Sequence, residues 1–310
     1  MIGEKYLPNG AATPWSMIVR TMLRGAVCFA VSLCGQQGAR ACDACNTGGQ
    51  SATESKESYS LFNRTPEHRM RRFATDRPDK TESAYSVDAG HIMHETDLIN
   101  YTYNQDGGVR SDSFFLMAPN AKVGLTNATD IQFIYQPYSY RREKDVASGT
   151  SSRHHGGGDL LVRLKTNMWG NDSGPSAGAV MPYIKLPTAG KKVGNGAVEG
   201  GILFPFALEV SDDTNIGAMT QIDILRNDGG TDYYGQIINS LTCSTALVGE
   251  LSGYAEIWTA LSYKNDPKAT LDFGLTYMLT PNIQLDSGLN VGVTAAADDL
   301  NPFIGVSQRW

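Results

Sequence analysis

The 310-residue sequence has no run of about eighteen apolar residues, the length a helix needs to cross a bilayer, so a helical span is excluded. Cysteine and histidine are scarce, five of each, which leaves little material for thiol or imidazole chemistry. Charged residues are only 19% of the chain, and the formal net charge is −6. Phosphate binding needs clustered Lys and Arg, so nucleic acid is not expected as a partner. There is no HExxH pair or P-loop, and no serine sits in a strand-to-helix elbow. No catalytic residue, metal site or cofactor is expected.

What is present points to export. Arg20 and Arg24 precede the apolar stretch AVCFAVSL, and Ala39-Arg40-Ala41 has the spacing of a cleavage site. Residues 1–41 therefore read as a secretory signal peptide, with a short buried helix as the competing reading. A start at Met17 or Met22 would remove an awkward extension. Cys28 and Cys34 leave with the signal. Cys42 and Cys45 form a lone CDAC pair, better read as a local disulfide or idle thiols than as a zinc or redox site, and Cys243 stands alone.

Residues 42–84 read as a polar tether and periplasmic leader. Within them LFNRTPEHRMRRF (61–73) has the composition for a basic helical turn or two, and a plug inside a lumen is open to it. TDRPDKTE (75–82) holds five charges and a proline, which reads as a solvated segment kept out of any sheet.

From Tyr85 onward the sequence alternates. Ile202, Phe204, Phe206, Leu208 and Val210 share one parity, as do Ile216, Ala218, Ile222 and Ile224; Leu271, Phe273, Leu275, Tyr277 and Leu279; and Leu285, Leu289, Val291 and Val293. Such stripes are strands with one apolar face. Short polar turns (211–214, 280–282, 126–129) alternate with longer Gly- and charge-rich connections (141–158, 187–200, 227–232, 263–269, 295–301). A soluble sandwich has no reason to sort its connections so, whereas an outer-membrane barrel does. The expected fold is all-β: a single closed antiparallel transmembrane β-barrel over 85–310 of about twelve strands, at roughly ten residues per tilted strand. An even number returns both ends to the periplasmic side, with a short N-terminal periplasmic or plug segment.

Opposite the apolar stripes lie Asp88, Glu95, Lys122, Arg163, Lys165, Lys185, Glu209, Asp223, Glu250, Glu256, Asp272, Asp286 and Arg309. Lys or Arg facing lipid at the midplane costs about 2–4 kcal/mol, so this face is expected to line a polar lumen. Either the charges pair across a small lumen and hold its shape, or they act on a passing solute. The last strand, PFIGVSQRW, ends on Trp310 in an alternating register, the aromatic end that barrel-assembly machinery recognises.

Residues 61–95, LFNRTPEHRMRRFATDRPDKTESAYSVDAGHIMHE, resemble the leading segment of the outer-membrane transporters grouped as the MetA-pathway of phenol degradation family. The matching positions are 61–66, 75–79, 81–83, 87–91 and Glu95, with further landmarks at Asp159, 186–188, 254–256 and 301–305. Arg64 and Ala84 depart from the usual prolines. The resemblance implies a barrel in the bacterial outer membrane, with membrane lipid and a small solute, aromatic by the family's name, as partners, and no catalytic residues.

Three functions compete: a passive channel or facilitator; a non-conducting structural or adhesive barrel using the 141–158 loop; and an outer-membrane lipid-modifying enzyme. For the enzyme only His91 and His94 fall on a strand, at opposite parity. His154-His155-Gly156 reads as exposed loop rather than metal site.

Overall fold

The computed structural model describes residues 55–190, 193–227 and 230–310. The signal peptide, most of the tether and Cys28, Cys34, Cys42 and Cys45 lie outside them. No helix among the described residues is long and apolar enough to cross a membrane; strands make the wall. They are β1 (Ile92–Asp106), β2 (Val109–Gly124), β3 (Thr129–Tyr135), β4 (Tyr138–Asp145), β5 (Ser151–Gly156), β6 (Leu160–Trp169), β7 (Ser176–Leu186), β8 (Glu199–Ser211), β9 (Thr214–Arg226), β10 (Tyr233–Val248), β11 (Leu251–Ser262), β12 (Lys268–Thr280), β13 (Ile283–Gly292) and β14 (Leu300–Arg309).

All pairings are antiparallel, and β1 pairs with both β2 and β14, which closes the sheet. β3 and β4 lie end to end along β2, and β5 and β6 continue one another alongside them. The first break falls at Gln136-Pro137, where proline has no N–H for the ladder. Opposite it, Met117 of β2 turns to positive φ. Fourteen segments thus make twelve staves.

Outward positions carry the apolar belt: Phe133, Leu164, Phe204, Ile222, Ile237, Phe273, Leu275, Leu285 and Ile304 all expose a third or more of their surface. Their neighbours at the other parity are buried, for example Leu203, Asp223, Asp272 and Asp286. Phe204→Arg or Leu275→Arg should therefore cost about 2–4 kcal/mol of barrel stability in lipid. Urea unfolding in vesicles measures it, with Asp223→Asn as the inward control that should fold normally.

The connections at the rim shared by both chain ends are 125–128, 170–175, 212–213, 249–250 and 281–282; by the general rule for such barrels this is the periplasmic rim. The other rim carries 187–198, 227–232, 263–267 and 293–299, but also the tight turns 107–108 and 146–150. Several expectations change here. The 141–158 stretch is no long loop but a hairpin, β4 and β5. Beyond Tyr138 and Tyr140 its strands rise past the apolar belt, so from Arg141 onward neither face is apolar and no alternation shows. The first strand opens at Ile92, not Tyr85. Glu250 sits in the 249–250 turn rather than in the lumen. Residues 61–73 hold only one 3-10 turn, Glu67–Arg69.

Candidate functional site

The expectation for residues 75–84 is overturned most plainly. Instead of lying solvated outside the sheet, they cross the inside of the barrel, and Asp76, Arg77, Lys80 and Glu82 each meet an opposite charge on the wall.

The path begins at the periplasmic rim. Leu61 N–H donates to the Leu125 carbonyl at 2.8 Å, and Thr65 N–H to Ala89 O at 3.0 Å. The His91 ring bridges Thr65 O (2.7 Å) and Trp310 O (2.9 Å), tying the insert to the last stave. Asp88, fully buried, is not a strand residue; it sits in the insert and gathers Lys56, Arg71 and Arg309. Arg309 also donates to the Arg71 carbonyl at 2.9 Å and stacks over Phe73.

Deeper, Asp76 binds Lys122 and, at 2.6 Å, Lys165. Its N–H donates to Glu95, which also takes Lys122 at 2.6 Å. Both lysines are about 98–99% shielded, at 2% and 1% exposure, so without this acid Lys122 would keep only Glu95 and Lys165 would lose its ion pair inside the wall. Arg77 reaches the opposite side, to Asp97 (2.6 Å) and Asp286 (2.7 Å), over the Phe303 ring. Gly305 leaves room for it: a Cβ there would lie 2.2 Å from Arg77 Nη2. The N–H groups of Lys80 and Thr81 each donate to Glu256 at 2.8 Å, Lys80 Nζ meets Asp272 at 3.1 Å, and Glu82 pairs with Arg163. Asn167 closes the crossing by donating to Ala84 O.

The structure thus gathers Glu95, Lys122, Arg163, Lys165, Glu256, Asp272 and Asp286 around the insert and sets Asp88 and Arg309 at its base. Three residues stay apart. Lys185 pairs with Asp159 and Glu199 toward the far rim, Asp223 accepts from Tyr183 at 2.7 Å, and Glu209 is exposed near the periplasmic rim. Sequence reasoning missed Asp76, Arg77, Lys80, Thr81 and Glu82 as lumen residues. A dozen inward charges in a narrow barrel was the available sign that something must neutralise them.

The two lysines hold the Asp76 carboxyl well below its ordinary range, overcoming the burial that opposes ionisation. Burial pushes Asp79 up to about 7, helped by the nearby Glu82 and Asp76 charges. Burial likewise lifts Glu82 to about 7 against the pull of Arg163. A carboxyl raised in the folded state contributes stability below its free value of about 4, and loses it as pH rises through about 7. The melting temperature should therefore be higher at pH 5 than at pH 8. Asp79→Asn should shrink that difference, and an unchanged difference would count against the assignment.

The histidines do not converge. His91 is engaged with carbonyls, His94 faces outward beside the Trp310 ring at 5.8 Å, and His154 and His155 occupy opposite faces of β5. Residues 174–178 do read GPSAG, a G-x-S-x-G match. Ser176, however, opens β7 with no helix after it, and its hydroxyl takes the Trp169 indole N–H at 3.4 Å.

The family described as "Putative MetA-pathway of phenol degradation" matches residues 75–310, from the lumen crossing to the last stave. The chain belongs to this family. An outer membrane channel from Pseudomonas putida F1 is similar in structure, at 10% identity and TM-score 0.53, covering 76% of this chain and 100% of that one. The NanC porin (11% identity, TM-score 0.46, 69% and 98% coverage) and the translocator domain of autotransporter NalP from Neisseria meningitidis (10%, 0.44, 71% and 88%) are more distant. No curated protein sequence matches. The protein is a closed twelve-stranded antiparallel β-barrel with the fold of outer-membrane proteins.

Proposed function

We propose that the protein is a channel for small, uncharged, partly apolar solutes, with residues 75–84 as its constriction. The observation that carries this reading is an apolar cluster on the inward faces of β7, β8 and β9: Met181, Leu203 and Met219, with Tyr183 packed against them. A wall that had only to hold a charged insert would have no use for thioether and aliphatic side chains turned inward. Met181, Leu203 and Met219 are closed to solvent at 0%, 1% and 4% exposure, so an apolar or aromatic molecule would meet them only by parting the cluster; such a solute agrees with the phenol in the family description and with the channel likeness. The adhesive reading loses its long loop, because 141–158 is a hairpin. Docking of the Trp310 strand on barrel-assembly machinery belongs to this proposal too.

The test is uptake into proteoliposomes of a neutral aromatic solute and of glycerol, by the full chain and by a variant lacking residues 55–84. Leu203→Asn should slow the aromatic solute several-fold and leave glycerol unchanged. If both the full chain and the shortened one fold and admit neither solute, the channel reading fails.

A further inference from the structure

The outward face of β1, β2, β4 and β5 changes character in bands toward the far rim. Ile99, Leu116 and Tyr138 form the apolar level; they are followed by Tyr101, Phe114 and Tyr140, with Phe114 and Tyr140 stacked at 4.9 Å, and His155 completes this level. The next outward row holds Tyr103, Asp112, Arg142 and Arg153, and the row beyond it Gln105, Arg110 and Lys144. Each row lies about 7 Å beyond the last, two residues along a strand. Aromatic rings settle at headgroup depth, so the cations begin one step beyond it, where an outer leaflet carries its phosphates.

Four cations stand against one acid here, in a protein whose net charge is −6. The acid is already committed: Asp112 is held by Arg110 at 2.9 Å and by the Tyr101 hydroxyl at 2.7 Å. Arg110 in turn stacks over Tyr103. Asp112 is also the cross-strand neighbour of Arg142, so this one carboxylate is shared, and Lys144 and Arg153 face out with no acid opposite. Arg142 Nε is shielded and donates to no protein group. Arg141 and Glu143, of the other parity, pair with each other on the inner side. Followed the other way round the sheet, the row of Tyr103 continues as Leu300, Val291, Leu271 and Ile257, all apolar. Elsewhere toward the far rim a single strand cation among the described residues, Arg226, faces out on β9, so the cluster of four is particular to this wall.

From this we infer a lipid-binding surface: Arg142, Lys144 and Arg153 hold the phosphate groups of an outer-leaflet glycolipid whose acyl chains run down past Tyr140, Phe114 and Leu116. Guanidinium groups pair with phosphate oxygens in a fork, and their separation in two rows suits a headgroup with more than one phosphate.

Full-length protein in maltoside micelles, titrated with diphosphoryl lipid A and followed by native mass spectrometry, tests the assignment. Each basic side chain at an anionic surface contributes about fivefold. Arg142→Gln/Arg153→Gln should therefore weaken binding about thirtyfold, and Lys144→Gln/Arg153→Gln similarly. Arg226→Gln, a far-rim cation stacked over Tyr233 on β9 and β10, should change nothing. Heat-modifiable migration confirms that each variant is folded. Equal binding of dephosphorylated lipid A, an equal loss in Arg226→Gln, or displacement of the lipid by millimolar inorganic phosphate would each overturn the proposal.

Discussion

Asp76→Asn is expected to cost the folded barrel about 3–5 kcal/mol, the usual result of removing one partner from a buried ion pair. The asparagine cannot neutralise two lysines. Lys122 keeps Glu95, but Lys165 loses its one ion pair and keeps the Tyr85 carbonyl at 3.4 Å and the more distant charges of Asp130 and Glu82. A buried ammonium with one weak acceptor will draw in water or expel the insert. Two readouts follow: a lower unfolding midpoint in urea, and larger single-channel conductance as 75–84 leaves the crossing. Replacing Lys165 as well, in Asp76→Asn/Lys165→Met, removes the stranded charge and should recover much of the stability while conductance stays high. An unchanged midpoint and conductance in the single variant would show that the ion cluster neither holds the insert nor blocks the path.

Gly124→Ala should be nearly as damaging, for a steric reason. A Cβ at this position would lie 2.1 Å from the Asp88 carbonyl oxygen and 2.8 Å from that of Val87. Both are backbone atoms, and they cannot swing aside as a side chain can. Gly124 also exchanges hydrogen bonds with the same segment, donating to His91 O at 3.0 Å and accepting from Gly90 N–H at 2.9 Å. One methyl group therefore lifts 87–91 off β2 and strains the tie from His91 to Trp310. Overpacking of this kind costs about 1–3 kcal/mol or more, and the refolded yield in vesicles should fall accordingly. Gly190→Ala, where nothing lies within 4 Å of the added methyl and φ is not positive, should refold like the parent.

The barrel was legible because lipid imposes a simple rule on outward side chains. Wherever a stave crosses the belt, as in 202–210 or 271–279, parity alone separates the wall's two faces. The rule lapses above the belt, so the β4–β5 hairpin passed for a loop. It also says nothing about chain inside the lumen. TDRPDKTE looks solvated by composition, and the inward charges looked like a polar lining; only together do they make sense, each neutralising the other. Glu95, Lys122 and Asp286 were placed on the right face with their partners unseen. Asp88 had the right parity for a strand but belongs to the insert. Met181, Leu203 and Met219 gave no signal, because an apolar residue at an inward position looks like a break in the pattern.

The close matching of insert to wall sets a limit on how related barrels can be recombined. Residues 76–82 pair with side chains from β1, β2, β6, β11, β12 and β13, so the segment is complementary to half of the twelve staves rather than to one neighbour. A chimera that joins the leading segment of one family member to the staves of another inherits two halves of a charge pattern drawn up separately. Such hybrids should assemble only when the wall acids and bases are transplanted with the segment, as a single cassette scattered along the chain.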